Sequence, residues 1–217
     1  MIVDEHYINK LLFRLEQRDA RPAPPHNVVY VTELVSPCAR RVWYARRYPP
    51  EVTEVEALRH LGRAVHELVE EALRADGWLT EVSVAINDGD VTIRGRVDAV
   101  REEEAADEAV VRVTDIIEIK TVDELPQKPR DEHVHQARIY AAVMGAERYH
   151  IVYVSRRNGR VRVFSDSVSD HDGIIEDAKR AARELVSVIQ ADSPPPPSRG
   201  AWCSYCPFRW RCWSGGE

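Results

Sequence analysis

The chain has 217 residues, of which 44% are hydrophobic and 30% charged, and its formal net charge is −6. This balance fits a soluble globular protein with one sizeable domain. No apolar run is long enough to cross a bilayer, and the first 20 residues lack the apolar centre of a secretory signal. We therefore expect a cytoplasmic protein without a membrane partner. The acidic balance also argues against general affinity for nucleic acids, so such affinity must come from local sites.

The N-terminal quarter of the chain predicts short elements separated by prolines. They are a helix to about Asp19, a proline-rich break at 21–25, a strand at 27–31 and a helical segment that begins at Thr32 and carries Cys38. Pro49 and Pro50 are expected to end this segment, because proline cannot continue a helix without losing a backbone hydrogen bond.

Residues 55–75 predict a long amphipathic helix, and Gly77 is expected to end it. Three strands follow, joined by short connections, which predicts an antiparallel meander. The strands are predicted at 81–86, 91–101 and 110–121, with a turn at 87–90 and an acidic loop at 102–108. The apolar stripe of the helix is predicted to consist of Leu58, Leu61, Val65, Leu68, Val69 and Ala72.

The second half of the chain predicts a helix at 131–144, a hairpin of strands 149–155 and 159–166, and a helix at 172–190. Asn158 and Gly159 give the turn signal of this hairpin. Four consecutive prolines within 193–198 predict a stiff, extended connector to the last cysteines. The order of elements predicts an α/β sheet protein with a small cysteine-bearing subdomain formed by both ends of the chain.

Charged residues in the apolar meander predict a metal site. Glu118 and Lys120 are two residues apart and therefore share one face of the third strand, and Asp98 on the second strand can lie beside Glu118. Burying such groups is costly unless they bind a partner or a metal. Two carboxylates can hold Mg²⁺ or Mn²⁺ for phosphodiester hydrolysis, with the backbone carbonyl of Ile119 as another ligand. Lys120 could then orient the attacking water or stabilise developing charge.

Three further residues are candidates for the same site. His66 borders the apolar stripe of the long helix, and the ordinary interpretation is a hydrogen-bonded core histidine. The downstream carboxylates favour a metal ligand instead, and an imidazole ligand suits Mn²⁺ better than Mg²⁺. Gln136 and Tyr140 are four residues apart and therefore share a helix face. They are either ordinary helix surface or groups that approach the substrate or a metal-bound water.

The four cysteines predict a second metal centre. They are Cys38, Cys203, Cys206 and Cys212, and four thiolates can hold a [4Fe–4S] cluster, a [2Fe–2S] cluster or zinc. A disulfide is disfavoured in a cytoplasmic chain. The spacing is not that of two paired zinc knuckles, which weakens the zinc interpretation. Arginines at 199, 209 and 211 flank the last cysteines, and each alone is best interpreted as solvated surface.

The order of these motifs resembles the RecB-like branch of the PD-(D/E)XK nuclease superfamily. That branch has a helical histidine, a glycine-x-hydrophobic-aspartate strand, a glutamate-x-lysine strand and then glutamine and tyrosine four apart on a helix. The corresponding residues here are His66, Gly95 to Asp98, Glu118 to Lys120, and Gln136 with Tyr140. One early and three late cysteines around such a core resemble the iron–sulfur nucleases. Without a helicase P-loop, the chain resembles the CRISPR-associated Cas-four family from about residue 31 to 212.

This resemblance implies a restriction-endonuclease-like mixed sheet flanked by helices. It implies one nuclease domain over residues 1–217, with a core at 55–192 and an iron–sulfur subdomain from 27–50 plus 193–217. It also implies a hydrolase that degrades single-stranded DNA, 5′ to 3′, and processes spacer precursors beside integrase proteins in antiviral CRISPR adaptation. A [4Fe–4S] cluster is favoured over [2Fe–2S]. The alternatives are a non-catalytic DNA-binding scaffold of an adaptation or repair complex, and a zinc-stabilised repair nuclease.

Overall fold

The structure is a computed structural model that describes residues 24–48, 55–104 and 111–214. Of residues 55–60 and 214, only the backbone is described. The helix predicted to about Asp19, the proline pair at 49–50 and the second half of the predicted acidic loop lie outside the described residues. No helix in the described part of the chain combines the length and apolar character that crossing a membrane requires.

The described part of the chain forms six strands, six α-helices and one 3₁₀ helix. The strands are β1 (Val28–Tyr30), β2 (Leu79–Asp88), β3 (Val91–Glu104), β4 (Val111–Val122), β5 (Arg148–Ser155) and β6 (Val161–Ser167). The helices are α1 (Val31–Leu34), α2 (Ala39–Ala45), α3 (Val55–Ala75), α4 (Asp131–Met144), α5 (His171–Gln190) and α6 (Arg209–Ser214), and the 3₁₀ helix is Ala201–Tyr205.

All six strands belong to one mixed sheet, as predicted. The order is β1-β3-β4-β5-β6, and β2 pairs with the other edge of β3. The predicted meander is confirmed, since β2, β3 and β4 pair antiparallel, and so is the antiparallel hairpin of β5 and β6. The pairs β1–β3 and β4–β5 are parallel. One edge of β3 is therefore shared, with β1 along its first half and β4 along its second half.

Helices cover both faces of the sheet. Side chains of α4 and α5 pack with alternate strand residues such as Ile116 and Tyr153 in the larger core. On the opposite face, α3 packs with the neighbouring residues Ile117 and Val154 in a smaller core. This alternation follows from the two-residue period of a strand, and β4 is buried on both faces as predicted.

The predicted bounds of α3 and α4 are confirmed, and the predicted buried face of α3 is confirmed at Val65 and Val69 but wrong at Leu61 and Leu68. Leu61 is 47% exposed and Leu68 is 67% exposed. The described side chains of α3 that pack on the sheet include Val65, Val69 and Leu73. The reason is that the polar residues His66 and Glu70 occupy part of the side that faces the sheet, so hydrophobic periodicity alone placed the centre of the buried face too far toward Leu61 and Leu68.

Two other local predictions differ from the structure. The helical segment predicted from Thr32 is interrupted, and Cys38 is the extended residue that precedes α2, because Pro37 disrupts continuous helical bonding. The hairpin has a longer connection than the predicted two-residue turn, spanning 156–160. Gly159 there adopts a left-handed conformation with φ 67°, and the Ser155 backbone N–H donates across the loop to the Arg160 carbonyl.

Candidate active site

The predicted site residues meet where β3 and β4 separate. Their backbone pairing ends at Ala99 opposite Ile117. Beyond this pair, the Ile119 N–H of β4 donates to Oδ2 of Asp98, the residue before Ala99 on β3, at 2.6 Å. A side chain therefore replaces the missing backbone acceptor. Asp98 is 9% exposed and Glu118 is 3% exposed. The fold thus brings both carboxylates to the same interruption of the sheet.

Lys120 links Glu118 to α4. Its Nζ donates to Glu118 Oε1 at 2.6 Å and to Gln136 Oε1 at 2.9 Å. The amide of Gln136 in turn contacts the Tyr140 hydroxyl at 3.5 Å. The other carboxylate oxygen of Glu118, Oε2, is buried without a hydrogen-bond partner in the described part of the chain. A buried charged oxygen without a partner is costly, which is the expected signature of a ligand position.

His66 approaches Asp98 from α3. Its Nδ1 lies 3.8 Å from Asp98 Oδ2, and its side chain is 29% exposed. Burial lowers the pKa of His66, and the positive charge of Lys120 lowers it further, although Glu118 opposes this. The imidazole is therefore favoured in its neutral form, the form that binds metal ions.

Glu70 is a site residue that the sequence analysis missed. It lies one turn after His66 on α3, and ligand atoms of His66, Glu70 and Asp98 all lie within 4.8 Å of one another. Burial raises the pKa of Glu70, and the nearby Glu81 raises it further. Glu118 is outside this group of three. The sequence did carry a signal for Glu70: it lies four residues after His66, and this spacing places both side chains on one face of a helix.

Burial also controls the ionisation of the two strand carboxylates. It raises the pKa of Asp98 to about 6, against the opposing hydrogen bond from Ile119. It raises the pKa of Glu118 to about 7, against the opposing charge of Lys120, while Asp98 adds repulsion. Two neighbouring carboxylates with raised pKa values are poised to bind a divalent cation, since the cation supplies the missing positive charge.

Two glycines allow close packing around the site. A Cβ atom on Gly95 of β3 would lie 2.4 Å from Tyr140 Cε1, so glycine lets the tyrosine ring lie against the strand. The Tyr140 hydroxyl also accepts a 3.4 Å bond from the Arg96 N–H. A Cβ on Gly62 would lie 2.9 Å from Thr121 Oγ1, so α3 approaches the end of β4 closely, one turn before His66.

The four cysteines lie in one region formed by both ends of the described chain. Burial raises the pKa of the Cys206 thiol, and the nearby thiols of Cys38 and Cys203 raise it further. Cys206 and Cys212 pack on the same aromatic cluster, which consists of Trp43, Tyr44 and Phe208. All four cysteines are half-buried and free of disulfides.

Direct contacts hold these two ends together. The Trp43 indole N–H donates to the Ala191 carbonyl at 2.9 Å, and Arg40 Nη1 donates to the Pro195 carbonyl at 3.3 Å. The rings of Tyr44 and Phe208 have centroids 5.9 Å apart. The early and late segments therefore pack as one unit beside α5.

Solved structures share this fold. The crystal structure of SSO0001 aligns with a TM-score of 0.64 and 25% identity, covering 97% of this chain and 98% of that chain. An alkaline exonuclease (LHK-Exo) from Laribacter hongkongensis aligns with a TM-score of 0.45 and 14% identity, covering 76% of this chain and 89% of that chain. Its complex with dAMP gives a TM-score of 0.43, 14% identity and coverage of 76% and 88%. These two likenesses are too weak to bear on the activity of this chain.

No curated protein sequence matches the chain. The family, in contrast, is clear, because residues 10–213 match the sequence profile described as the PD-(D/E)XK nuclease superfamily. The match includes the strands that carry Asp98, Glu118 and Lys120 and the helix that carries His66. With nearly the whole chain matched, this protein belongs to the PD-(D/E)XK nuclease superfamily.

Proposed function

We propose that this nuclease is a Mn²⁺- or Mg²⁺-dependent exonuclease that degrades single-stranded DNA, 5′ to 3′, and trims spacer precursors in CRISPR adaptation. The observation that carries the catalytic part is the buried Oε2 of Glu118, which lies beside Asp98 and Lys120 and has no hydrogen-bond partner among the residues that the structure describes. The substrate, the polarity and the CRISPR role with integrase partners rest on the resemblance in motif order and cysteine placement. The likeness to SSO0001, which extends over 97% of this chain and 98% of that chain, supports one domain over residues 1–217.

The proposed metal ligands are His66, Asp98, Glu118 and the backbone carbonyl of Ile119. The side-chain donors fit a hard divalent cation, and the imidazole favours Mn²⁺. The Ile119 carbonyl points to the same edge of β4 as its N–H, which donates to Asp98. Glu70 is a further candidate, since it approaches both His66 and Asp98.

The protein groups around this position have distinct proposed roles. A bound divalent ion would supply Lewis-acid stabilisation of the phosphodiester. The Lys120 ammonium would orient the attacking water and stabilise negative charge that develops on the phosphate. Gln136 holds Lys120 in place through its 2.9 Å hydrogen bond. Tyr140 packs against Gly95, and its hydroxyl accepts from Gln136, so its proposed role is to position Gln136 or to approach the substrate.

The catalytic proposal is tested by cleavage of DNA labelled at either end. Wild-type protein with Mn²⁺ should shorten single-stranded DNA in preference to duplex, with products that reveal the polarity. Glu118→Ala and Asp98→Ala should abolish cleavage while DNA binding remains. Glu67→Ala is a matched control, because this glutamate is exposed on the same helix as His66. Full activity in either strand variant would refute the site, and DNA binding without cleavage by the wild type would indicate a scaffold.

We further propose that Cys38, Cys203, Cys206 and Cys212 hold an iron–sulfur cluster, [4Fe–4S] rather than [2Fe–2S], that joins segments 27–50 and 193–217 beside the core at 55–192. Three observations support this proposal: the thiols lie in one region, all four are half-buried, and Cys206 and Cys212 pack on aromatic rings. The spacing of the cysteines in the sequence is not that of two paired zinc knuckles, which favours iron over zinc.

The cluster proposal is tested by absorbance and metal analysis of anaerobically purified protein. We expect the protein to contain iron and sulfide and to absorb at about 400 nm. The Cys203→Ala variant should lose the metal, the sulfide and the absorbance band. The melting temperature of that variant should fall, because the two chain ends would no longer be joined. A colourless protein that contains stoichiometric zinc would overturn the assignment of the metal as iron. Unchanged stability of the Cys203→Ala variant would overturn the proposal that the cluster joins the two chain ends.

A further inference from the structure

The described part of the chain exposes three large aromatic side chains, and all three lie near the C-terminus. Tyr205 is 68% exposed, Trp210 is 43% exposed and Trp213 is 56% exposed. The neighbouring Phe208, by contrast, is only 2% exposed. Aromatic side chains contribute large apolar areas, and a cluster of them at the surface is typical of an interaction site.

Three arginines lie among these rings. The Cζ of Arg209 is 4.9 Å from the centroid of Trp213, that of Arg199 is 5.7 Å from the same ring, and that of Arg211 is 4.4 Å from Trp210. Such stacking fixes the guanidinium planes and leaves their N–H edges available. We call these six residues the C-terminal aromatic surface.

These arginines differ from the nine arginines that form ion pairs with carboxylates in the described part of the chain. None of the three has a carboxylate ion pair within the described residues, and residues 193–214 include no aspartate or glutamate. In a chain of net charge −6, this segment is locally positive. Nine other arginines do form ion pairs with carboxylates: Arg46, Arg96, Arg101, Arg112, Arg148, Arg156, Arg157, Arg180 and Arg183.

The C-terminal aromatic surface is anchored to the rest of the fold. Arg211 Cζ also lies 4.1 Å from the ring centroid of Tyr48, just after α2. Phe208, between Tyr205 and Trp210 in sequence, is buried against Tyr44. The exposed rings therefore stand on a packed base, which reduces the entropy lost when a partner binds.

We propose that the C-terminal aromatic surface binds single-stranded DNA, with unpaired bases stacked on Tyr205, Trp210 and Trp213 and phosphates bound by the three arginines. A single-strand site has two components, exposed aromatic rings and cationic groups for the phosphates, and this surface has both, with guanidinium groups that form no carboxylate ion pair among the described residues. Duplex DNA fits less well, because its bases are already stacked on one another. The inference rests on the proposed function and names a strand-binding surface for it.

The test measures binding of labelled oligothymidine of about 20 nucleotides by fluorescence anisotropy, using full-length protein in a non-cleaving Glu118→Gln background. Trp213→Ala and Tyr205→Ala should each weaken binding about tenfold, as expected for loss of one base–aromatic stack. Trp213→Phe should keep most of the affinity. Leu68→Ala is the matched control, since Leu68 is equally apolar and exposed but lies on α3.

A second probe separates stacking from charge. On an abasic strand of the same length, the aromatic variants should bind like their parent, because there is no base to stack. Arg209→Gln should instead weaken binding to both strands and reduce the salt dependence by about 0.7 in the log–log slope, as for one phosphate contact. Equal losses on both strands for the aromatic variants would overturn base stacking.

The outcome is distinguishable from failure of the proposed function. If wild-type protein cleaves single-stranded DNA but Trp213→Ala and Tyr205→Ala leave binding unchanged, the surface proposal is wrong and the nuclease proposal stands. If the parent binds single strands through these rings but the wild type cuts no DNA with Mn²⁺, the nuclease proposal fails alone. Unchanged melting temperatures and iron content establish that the variants are folded.

Discussion

Lys120 donates to only one oxygen of the buried Glu118 carboxylate, at 2.6 Å, and the other oxygen has no partner among the described residues. The two oxygens of one carboxylate thus have different environments: Oε1 accepts a charge-assisted hydrogen bond, and Oε2 is the atom that we propose as a metal ligand. The division separates the proposed roles of Glu118 as a ligand and Lys120 as the cation that acts on water and phosphate.

Replacing Lys120 should therefore impair cleavage more than binding. Lys120→Met keeps the side-chain length but removes the ammonium, and we expect about a 10²- to 10³-fold fall in the single-turnover cleavage rate. DNA affinity measured by anisotropy should change little. Lys128→Met is the control, because Lys128 is exposed in the connection before α4. A Lys120 variant that cleaves at the wild-type rate would show that the lysine only neutralises Glu118.

The raised carboxyl pKa values predict how metal-free stability depends on pH. In the folded protein the pKa is about 6 for Asp98 and about 7 for Glu118. In the unfolded chain the pKa of such carboxyl groups is about 4. Between these values the folded state binds more protons than the unfolded state, so stability falls as pH rises from about 4 to about 7. Thermal unfolding in chelator should show this fall, and Glu118→Gln should reduce it. If the stability of the wild type and that of Glu118→Gln depend on pH in the same way, burial does not raise the pKa of Glu118 as described.

Gly95 should tolerate no side chain while Tyr140 is present. Gly95→Ala places a methyl group 2.4 Å from Tyr140 Cε1, and we expect a loss of about 1–3 kcal/mol of stability from the overlap. Denaturant unfolding of the two single variants and the Gly95→Ala/Tyr140→Leu double variant checks this. The double variant should be more stable than the sum of the single effects implies. Simple additivity would mean that another neighbour limits the space.

The buried ion pair of Arg46 with Glu33 should stabilise the early segment. Arg46 Nη2 lies 2.5 Å from Glu33 Oε2 and also donates to the Val28 carbonyl at 2.8 Å. Arg46→Met would leave the carboxylate without its cation, at an expected cost of about 3 kcal/mol. The exposed Arg180 on α5 is the comparison, since loss of a surface pair costs less than about 1 kcal/mol. Equal effects in chemical denaturation would show that burial does not strengthen the Arg46 pair.

Local sequence patterns determined the elements that depend on near neighbours. The bounds of α3 and α4, and the antiparallel pairing of β2, β3 and β4, followed from helical periodicity, a terminal glycine and short connections. The site motifs were readable for the same reason, because Glu118 and Lys120 must share a strand face. Gln136 and Tyr140 likewise had to share a helix face, whatever surrounds them.

The tertiary structure alone decided the contacts between distant segments. Pairing of β1 with β3 and of β4 with β5 is parallel and non-local, so no turn signal specifies it. Because β3 and β4 separate, the Ile119 N–H donates to the Asp98 side chain instead of to a backbone carbonyl. The side of α3 that faces the sheet carries Glu70, whereas Leu61 and Leu68 are exposed. Hydrophobic periodicity could not reveal these features, since a metal site places polar groups at core positions and their neutralisation depends on residues far apart in sequence.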